Sequence, residues 1–219
     1  TILTRSLFGN RTDVRTAKIG DIIYPAIGQG TGGYEQAEDS HRIRILNEGL
    51  ELGMNLIDTA EVYRDGEDEK IVGRVIEQRR SMVIVSTKFE TKHRDSRSIV
   101  EAVDGSLRRL RTDYIDIFQT HWPDPTIPVE ETIGALEILR DSGKIRYFGV
   151  SNYSYGDMRS AHDASRGDIV SNQVEYNLVE RGIEQEILPY AQSHDIVLMA
   201  YNPLFQVGAP SETLDSIGR

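Results

Sequence analysis

The feature that most constrains this chain is a unit that repeats along it: an apolar segment, a polar loop and a segment with helical spacing of apolar residues. The apolar segments recur roughly every 30 residues, the usual length of a strand-helix-strand unit. The segments that we predict as strands are 22–27, 55–58, 82–89, 114–121, 145–150, 169–174 and 196–201. The segments that we predict as helices are 38–52, 67–78, 96–109, 129–142, 155–165 and 183–194. Because a strand that returns through a helix runs parallel to the preceding strand, the pattern predicts one parallel α/β sheet.

Two architectures contain such a sheet, the (β/α)₈ TIM barrel and the open doubly wound sheet. Polar residues follow nearly every predicted strand of this chain, whereas an open sheet concentrates them at one switch point. The composition does not change along residues 1–219, which indicates one domain. We therefore predict a single (β/α)₈ barrel over residues 1–219.

The two ends of the chain carry predictions of their own. Residues 1–22 alternate apolar and polar side chains on both sides of 9–11, which predicts an N-terminal β-hairpin. At the other end the pattern supplies seven strands and the start of a helix at 211–217, although a closed barrel of this type has eight strands. Because seven strands would leave two unpaired edges, we expect the C-terminal part of the barrel, with its eighth strand, to be missing from this sequence.

Composition excludes several classes of function. Thirty-five acidic and 25 basic residues give a net charge of −10, which argues against nucleic acids and anionic membranes as partners. The chain has no cysteine, so disulfides, thiolate catalysis and cysteine-ligated metals are excluded. We see no apolar run of transmembrane length and no leader, and therefore expect a cytoplasmic protein. The sequence does not indicate an oligomeric state.

Four chemically active side chains stand at the ends of three successive predicted strands. Asp58 ends the second strand and Tyr63 follows in its loop, Lys88 lies at the end of the third strand, and His121 ends the fourth. A barrel brings these ends to one rim. There a cationic Lys88 would lower the pKa of the Tyr63 phenol from its usual value of about 10. Such a group is suited to protonating a carbonyl oxygen while another agent attacks its carbon.

Other readings of these residues stay open at this point. Asp58 would often be a backbone cap, Lys88 a salt-bridge partner and His121 a satisfied structural residue. Lys88 also has a second chemical reading as a Schiff-base nucleophile.

The attacking agent itself is absent from the sequence, since there is no thiol, no metal cluster and no Ser-His-Asp spacing. A bound cofactor would then supply it. The later predicted strands carry suitable groups, namely Ser151, Asn152 and Gln173 for a nicotinamide carboxamide and Tyr201 as a flat stacking face.

Six segments taken together resemble the signature set of the aldo-keto reductase superfamily. They are 58–63 (DTAEVY), 86–88 (STK), 119–123 (QTHWP), 145–152 (IRYFGVSN), 173–177 (QVEYN) and 200–204 (AYNPL). The resemblance spans roughly residues 20–205. The stretch 174–181 (VEYNLVER) resembles the bacterial, general-oxidoreductase and potassium-channel β-subunit branches more than mammalian aldose reductase.

The resemblance implies an NAD(P)H-dependent reduction of an aldehyde or ketone to an alcohol, on a (β/α)₈ barrel that opens with a hairpin. It makes Tyr63 the general acid, Lys88 and Asp58 the pair that tunes it, and His121 the residue that orients the carbonyl. The cofactor-binding residues that it implies are Gly30, Thr31, Asp58, Ser151, Asn152, Gln173, Tyr201, Asn202, Pro203 and Leu204. It favours NADP(H) over NAD(H) but leaves the choice open, because the eighth strand, which would grip the 2′-phosphate, is expected to be missing from this sequence.

The substrate prediction is coarser. Tyr34, Phe89 and Trp122 adjoin rim positions and are predicted to form an apolar wall for a small carbonyl substrate. A regulatory subunit that senses the redox state of the cofactor with little turnover is the main alternative. A lyase that uses Lys88 is a third.

Overall fold

The computed structural model describes residues 16–33, 36–93 and 95–204. An antiparallel pair comes first, β1 (Thr16–Ile19) with β2 (Ile22–Pro25). Seven further strands follow: β3 (Gln29–Gly30), β4 (Leu56–Asp58), β5 (Ile84–Phe89), β6 (Ile115–Thr120), β7 (Ile145–Ser151), β8 (Ser171–Glu175) and β9 (Val197–Tyr201). The helices are α1 (Asp39–Glu51), α2 (Glu67–Ile76), α3 (Ser96–Leu110), α4 (Val129–Asp141), α5 (Tyr155–Ala164) and α6 (Ile187–Ser193).

The strands from β3 to β9 form one sheet in chain order, each parallel to the next. A helix separates each consecutive pair, which is the arrangement of a (β/α)₈ barrel and confirms the predicted fold class. Every residue of β5 and β6 is buried, because helices cover one face of these strands and the barrel interior covers the other. The described residues supply seven of the eight strands of such a barrel.

Side chains of alternate strand residues point to the same face, and this period places the polar groups. Leu56 and Ile84, which begin β4 and β5, and Ile117, the third residue of β6, are buried in one cluster with the β1–β2 hairpin. Two residues further along two of these strands, the side chains are Asp58 and Ser86. The barrel interior is therefore apolar at the end covered by the hairpin and polar at the carboxyl ends of the strands.

The position of the hairpin differs from the prediction. The structure pairs Thr16–Ile19 with Ile22–Pro25, so the segment predicted as the first barrel strand is the second strand of the hairpin. Exposed and buried residues alternate along β1, and the side chain of Ile23 is 64% exposed, as in a strand with one solvent face. The first barrel strand is instead the short β3. The predicted strand and turn within residues 1–15 lie outside the described residues.

The helices follow the predicted segments closely. α3 begins with a capping box, in which the carboxylate of Asp95 accepts the backbone N–H of Ser98 and the Ser98 side chain bonds back to Asp95. The last predicted helix, 183–194, is divided into a 3-10 turn, Gly182–Glu184, and α6. The predicted helix at 211–217 lies outside the described residues. Within the described ranges no helix has the length and apolar character to cross a membrane.

Candidate active site

A buried ion pair lies at the centre of the rim formed by the carboxyl ends of the strands. Lys88 is fully buried, and its Nζ donates to Oδ2 of Asp58 at 2.7 Å and to the carbonyl oxygen of Thr59 at 2.8 Å. Oδ1 of Asp58 accepts from Ser86 Oγ at 2.9 Å and from Gln173 Nε2 at 3.0 Å. Because both charges are paired and hydrogen-bonded, the cost of burying the ammonium is offset within the site.

The phenol of Tyr63 lies beside this pair. Nζ of Lys88 is 5.3 Å from the centroid of the Tyr63 ring. Burial raises the pKa of Tyr63 above its usual value of 10.0, the positive charge and hydrogen bond of Lys88 oppose this, and the negative charge of Asp58 adds to it. The net direction is opposite to the predicted lowering, because desolvation of the phenolate outweighs an ammonium that is already paired with a carboxylate.

His121 completes the group from the loop after β6. Its ring centroid lies 5.8 Å from that of Tyr63, with the rings at 76° to one another. Burial, together with the positive charge of Lys88, lowers the pKa of His121 from 6.5 to about 4. The imidazole is therefore neutral at pH 7 and carries one N–H donor and one acceptor nitrogen. The structure thus brings Asp58, Tyr63, Lys88 and His121 to one place.

A chain of polar side chains inside the barrel supports Asp58 and was not predicted from the sequence. Gln119 Nε2 donates to Ser86 Oγ at 2.9 Å, and Ser171 Oγ donates to Gln119 Oε1 at 3.2 Å. All three side chains are fully buried. Gly149 makes room for this chain, since a Cβ there would collide with Ser171 Oγ. The available signal was the strand period of two, because Ser86 stands two residues before Lys88.

The residues proposed for a nicotinamide carboxamide form a connected group that reaches Asp58 through the Gln173 side chain. Ser151 Oγ donates to the carbonyl oxygen of Gln173 at 3.0 Å, and Asn152 Nδ2 donates to Ser151 Oγ at 3.2 Å and to the carbonyl oxygen of His121 at 3.0 Å. The Tyr201 hydroxyl donates to Asn152 Oδ1 at 2.9 Å. Asn152 has a left-handed backbone, with φ 60°, a conformation that asparagine tolerates better than most residues.

The remaining residues of the predicted cofactor site lie at the two ends of the sheet. Gly30 pairs in register with Asp58, and a Cβ at Gly30 would meet no atom within 4 Å, so the space beside it is open. Thr31 is buried and donates its hydroxyl to Thr59 Oγ1 at 2.9 Å. Residues 202–204 follow β9 directly, and among them Leu204 is 77% exposed.

The three predicted substrate-wall residues have different outcomes. Trp122 lies in the loop after His121 with 54% of its surface exposed. Phe89 is 4% exposed and stacks on Phe118 at a centroid distance of 5.2 Å in the layer between strands and helices, so its prediction as a wall residue is wrong. The physical reason is the strand period, since Lys88 points into the barrel and its neighbour must point out. Tyr34 lies outside the described residues.

The geometry also bears on the Schiff-base reading of Lys88. A Schiff-base lysine must reach its substrate, whereas Lys88 is fully buried and its Nζ is held by hydrogen bonds to Asp58 and to the carbonyl oxygen of Thr59. The arrangement therefore disfavours a lyase that acts through this side chain.

Curated proteins with similar sequences include two reductases and a channel subunit. Over 192 residues the chain is 41% identical to the methylglyoxal reductase YeaE of Escherichia coli, a match that covers 86% of this chain and 67% of that protein. It is 33% identical to the NADH-specific methylglyoxal reductase of the same organism, with 89% and 66% covered. A probable voltage-gated potassium channel subunit beta of Oryza sativa is 34% identical, with 90% and 57% covered.

A solved structure and a sequence-family model also match this chain. An aldo-keto reductase from Klebsiella pneumoniae in complex with NADPH superimposes with a TM-score of 0.83 at 38% identity, covering 92% of this chain and 72% of that one. The chain covers only part of its curated relatives, between 50% and 67% of their length. The sequence model of the Aldo/keto reductase family matches residues 26–215. The chain therefore belongs to the aldo/keto reductase family.

Proposed function

We propose that the protein reduces an aldehyde or ketone to an alcohol with NAD(P)H. The observation that carries this proposal is the buried Asp58–Lys88 pair, which lies against one phenol and one neutral imidazole at the same rim. A carbonyl oxygen placed between the phenol and the imidazole would meet two hydrogen-bond donors. Such donors stabilise the negative charge that develops on that oxygen in the transition state.

In this proposal Tyr63 transfers the proton. Burial keeps its phenol protonated at neutral pH, so the proton is present when the substrate oxygen gains charge. Lys88 then stabilises the phenolate that is left behind, and Asp58 keeps the ammonium in place through the 2.7 Å bond. His121 donates an N–H to the same oxygen and orients the carbonyl. The neutral state of its imidazole is suited to this role, because it does not compete with Tyr63 as the acid.

The residues present fit a nicotinamide cofactor, which when bound supplies the hydride that attacks the carbonyl carbon. A carboxamide needs both donors and acceptors, and the hydroxyl of Ser151 and the side-chain amides of Asn152 and Gln173 offer both. Tyr201 offers an aromatic face next to them. The open space beside Gly30 leaves room for a ribose close to Asp58.

The remaining predicted contacts complete this proposal for the cofactor. Thr31 would join Gly30 beside the ribose. Asn202, Pro203 and Leu204 would approach the pyrophosphate. We propose NADP(H) as the preferred form, since the superimposed Klebsiella structure is a complex with NADPH. One relative is NADH-specific, so the two forms are to be titrated side by side.

For the substrate we propose a small aldehyde. Two relatives are methylglyoxal reductases, and the exposed indole of Trp122 offers an apolar wall next to His121.

The test compares the wild type with Tyr63→Phe, with Tyr155→Phe as a matched control on α5. NADPH and NADH are titrated by protein fluorescence, and turnover with methylglyoxal is followed by the absorbance of the reduced cofactor. We expect Tyr63→Phe to lower kcat by about 10²- to 10⁴-fold with little change in cofactor Kd, because the phenol acts on the substrate oxygen. Tyr155→Phe should behave as the wild type.

Two results would contradict the proposal. Equal turnover in wild type and Tyr63→Phe would remove Tyr63 as the proton donor. Tight cofactor binding without turnover in the wild type would point instead to the alternative given above, a regulatory subunit that senses the redox state of the cofactor.

A further inference from the structure

The backbone directly after Tyr63 takes an unusual path. Arg64 (φ 50°, ψ 38°) and Asp65 (φ 55°, ψ 44°) are both left-handed, and Gly66 follows with φ 82°. Side chains other than glycine carry a steric cost in this conformation, and two such residues in succession are rare. A turn of this kind persists only where its surroundings hold it, and such turns cluster at functional sites.

The side chain of Arg64 anchors the turn to carboxylates in the first turns of α1 and α2. Its Nη1 and Nη2 donate to Oδ1 of Asp39 at 3.1 and 3.2 Å, and Nη1 also lies 3.4 Å from Oδ1 of Asp68. Both carboxylates are fixed by further partners, since Arg74 donates to Asp39 at 2.9 Å and Arg42 donates to Asp68 at 3.0 Å. Asp68 is almost completely buried. Arg64 therefore binds one buried carboxylate, Asp68, and one partly exposed carboxylate, Asp39, which Arg74 also holds.

The backbone of the turn is closely packed against neighbouring side chains. A Cβ at Gly66 would lie 2.5 Å from Cδ of Arg109, whose Nε donates to Glu69 at 2.6 Å. On the other side, a Cβ at Gly32 would lie 3.1 Å from the Tyr63 ring, so the glycine backbone lies close to the phenol. The ring of Tyr63 is thus enclosed between the segment that precedes α1 and a turn whose freedom is limited by Arg64 and Gly66.

We propose that Arg64 is a positioning residue, which holds the phenol of Tyr63 beside Lys88 by anchoring the left-handed turn. The inference rests on the proposed function, because it takes Tyr63 as the proton donor. Among the described residues, the hydrogen bonds and ion pairs of the Arg64 side chain go to Asp39 and Asp68, neither of which is proposed to hold the cofactor or to react. Its contribution is geometric, and misplacement of a proton donor by about 1 Å is enough to reduce turnover on the order of 100-fold.

The experiment compares three variants of the protein with the wild type and with Tyr63→Phe. Arg64→Gly removes the anchor and also the steric cost of the left-handed residue. Asp65→Gly removes the same steric cost at the next position but leaves the anchor, and it serves as the matched control. Arg64→Lys keeps a cation that can reach one carboxylate. The measurements are kcat and KM with methylglyoxal, NADPH Kd by fluorescence, and circular dichroism to verify the fold.

We expect Arg64→Gly to lower kcat on the order of 10- to 100-fold with unchanged NADPH Kd. Arg64→Lys should recover part of this loss, and Asp65→Gly should have the kcat of the wild type. A purely structural role would not give this pattern, because relief of strain alone affects both glycine variants alike.

The outcomes separate this inference from the proposed function. If Tyr63→Phe loses turnover while Arg64→Gly keeps the kcat of the wild type, the positioning role is overturned and the proposed function stands. The positioning role is also overturned if Asp65→Gly loses as much kcat as Arg64→Gly, or if Arg64→Gly changes only the NADPH Kd. Turnover retained by Tyr63→Phe overturns both proposals. Should Arg64→Gly fail to fold, the comparison of Arg64→Lys with Asp65→Gly decides in the same way.

Discussion

The protonation states of two residues at the rim result from burial more than from neighbouring charge. Tyr63 and His121 stand beside the same ammonium, and burial is the largest influence on both. It raises the pKa of the phenol and lowers that of the imidazole, because each group loses the water that would stabilise its charged form. Both side chains are therefore neutral hydrogen-bond donors over the same wide range of pH. This is the state that a carbonyl oxygen requires of them.

The lowered pKa of His121 predicts how the free energy of unfolding depends on pH. Its pKa is about 4 in the folded protein and close to 6.5 in an unfolded chain. The unfolded state therefore binds a proton first as the pH falls, so stability is lost progressively between pH 6.5 and 4, and the group has no such effect above pH 6.5. Denaturant unfolding of the wild type and His121→Asn should show that the wild type loses more free energy of unfolding in this window. The difference in slope should stay below about 1.4 kcal/mol per pH unit, the limit for one proton. Parallel curves would contradict the assignment.

At the scale of the strands, the sequence was informative where a segment is buried on both faces. The predicted segments 114–121 and 145–150 differ from β6 and β7 by no more than one residue at either end, and every residue of β6 and all but two of the seven residues of β7 are buried. The sequence pattern misplaced the two strands of the hairpin and the first barrel strand, β3. Ile22 and Ile23 resemble a buried run, yet one is buried and the other is 64% exposed.

For the side chains of the site, too, some features were predictable from the sequence and others were not. The convergence of Asp58 and Lys88 followed from the rule that barrel strands end at one rim. The net pKa shift of Tyr63 did not follow, since it depends on burial that no local pattern encodes. The position of Phe89 was available from the period of two but was overlooked.

The close contact between β7 and β8 gives a prediction for Gly149. A Cβ there would collide with Ser171 Oγ and lie 2.8 Å from the Ser171 carbonyl oxygen, so Gly149→Ala should separate the strands and disturb the polar chain beneath Asp58. We expect a loss of about 1–3 kcal/mol in the free energy of unfolding. Gly134→Ala in α4 is the control, since a Cβ there meets no atom within 4 Å and alanine should stabilise the helix by roughly 0.5–1 kcal/mol. Urea unfolding measures both, and a Gly149→Ala variant as stable as the wild type would refute the close packing.

At the scale of the molecule, the barrel has one end for stability and one for chemistry. The hairpin packs on the apolar beginnings of the strands, and its turn is held by Asp21, which accepts from the Tyr147 hydroxyl at 2.7 Å and from Arg146 Nη2 at 3.0 Å. The groups proposed for catalysis stand at the opposite ends of the same strands. Conservative changes under the hairpin should therefore alter the free energy of unfolding without altering turnover.

Two tyrosines at the end covered by the hairpin give a specific test, since in the part of the chain that the structure describes one hydroxyl is hydrogen-bonded and the other is not. The Tyr147 hydroxyl donates to Asp21 and accepts from its backbone N–H at 3.0 Å, whereas the fully buried Tyr24 hydroxyl has no hydrogen-bond partner within the described ranges. Tyr147→Phe should lower the free energy of unfolding by about 0.5–1.5 kcal/mol. Tyr24→Phe should raise it by roughly 0.5–2 kcal/mol, because an unpaired buried hydroxyl is costly. Denaturant unfolding gives both values, and the kcat of both variants should equal that of the wild type. A loss of stability in Tyr24→Phe would mean that its hydroxyl has a partner, and a loss of kcat in either variant would mean that the two ends of the barrel are coupled.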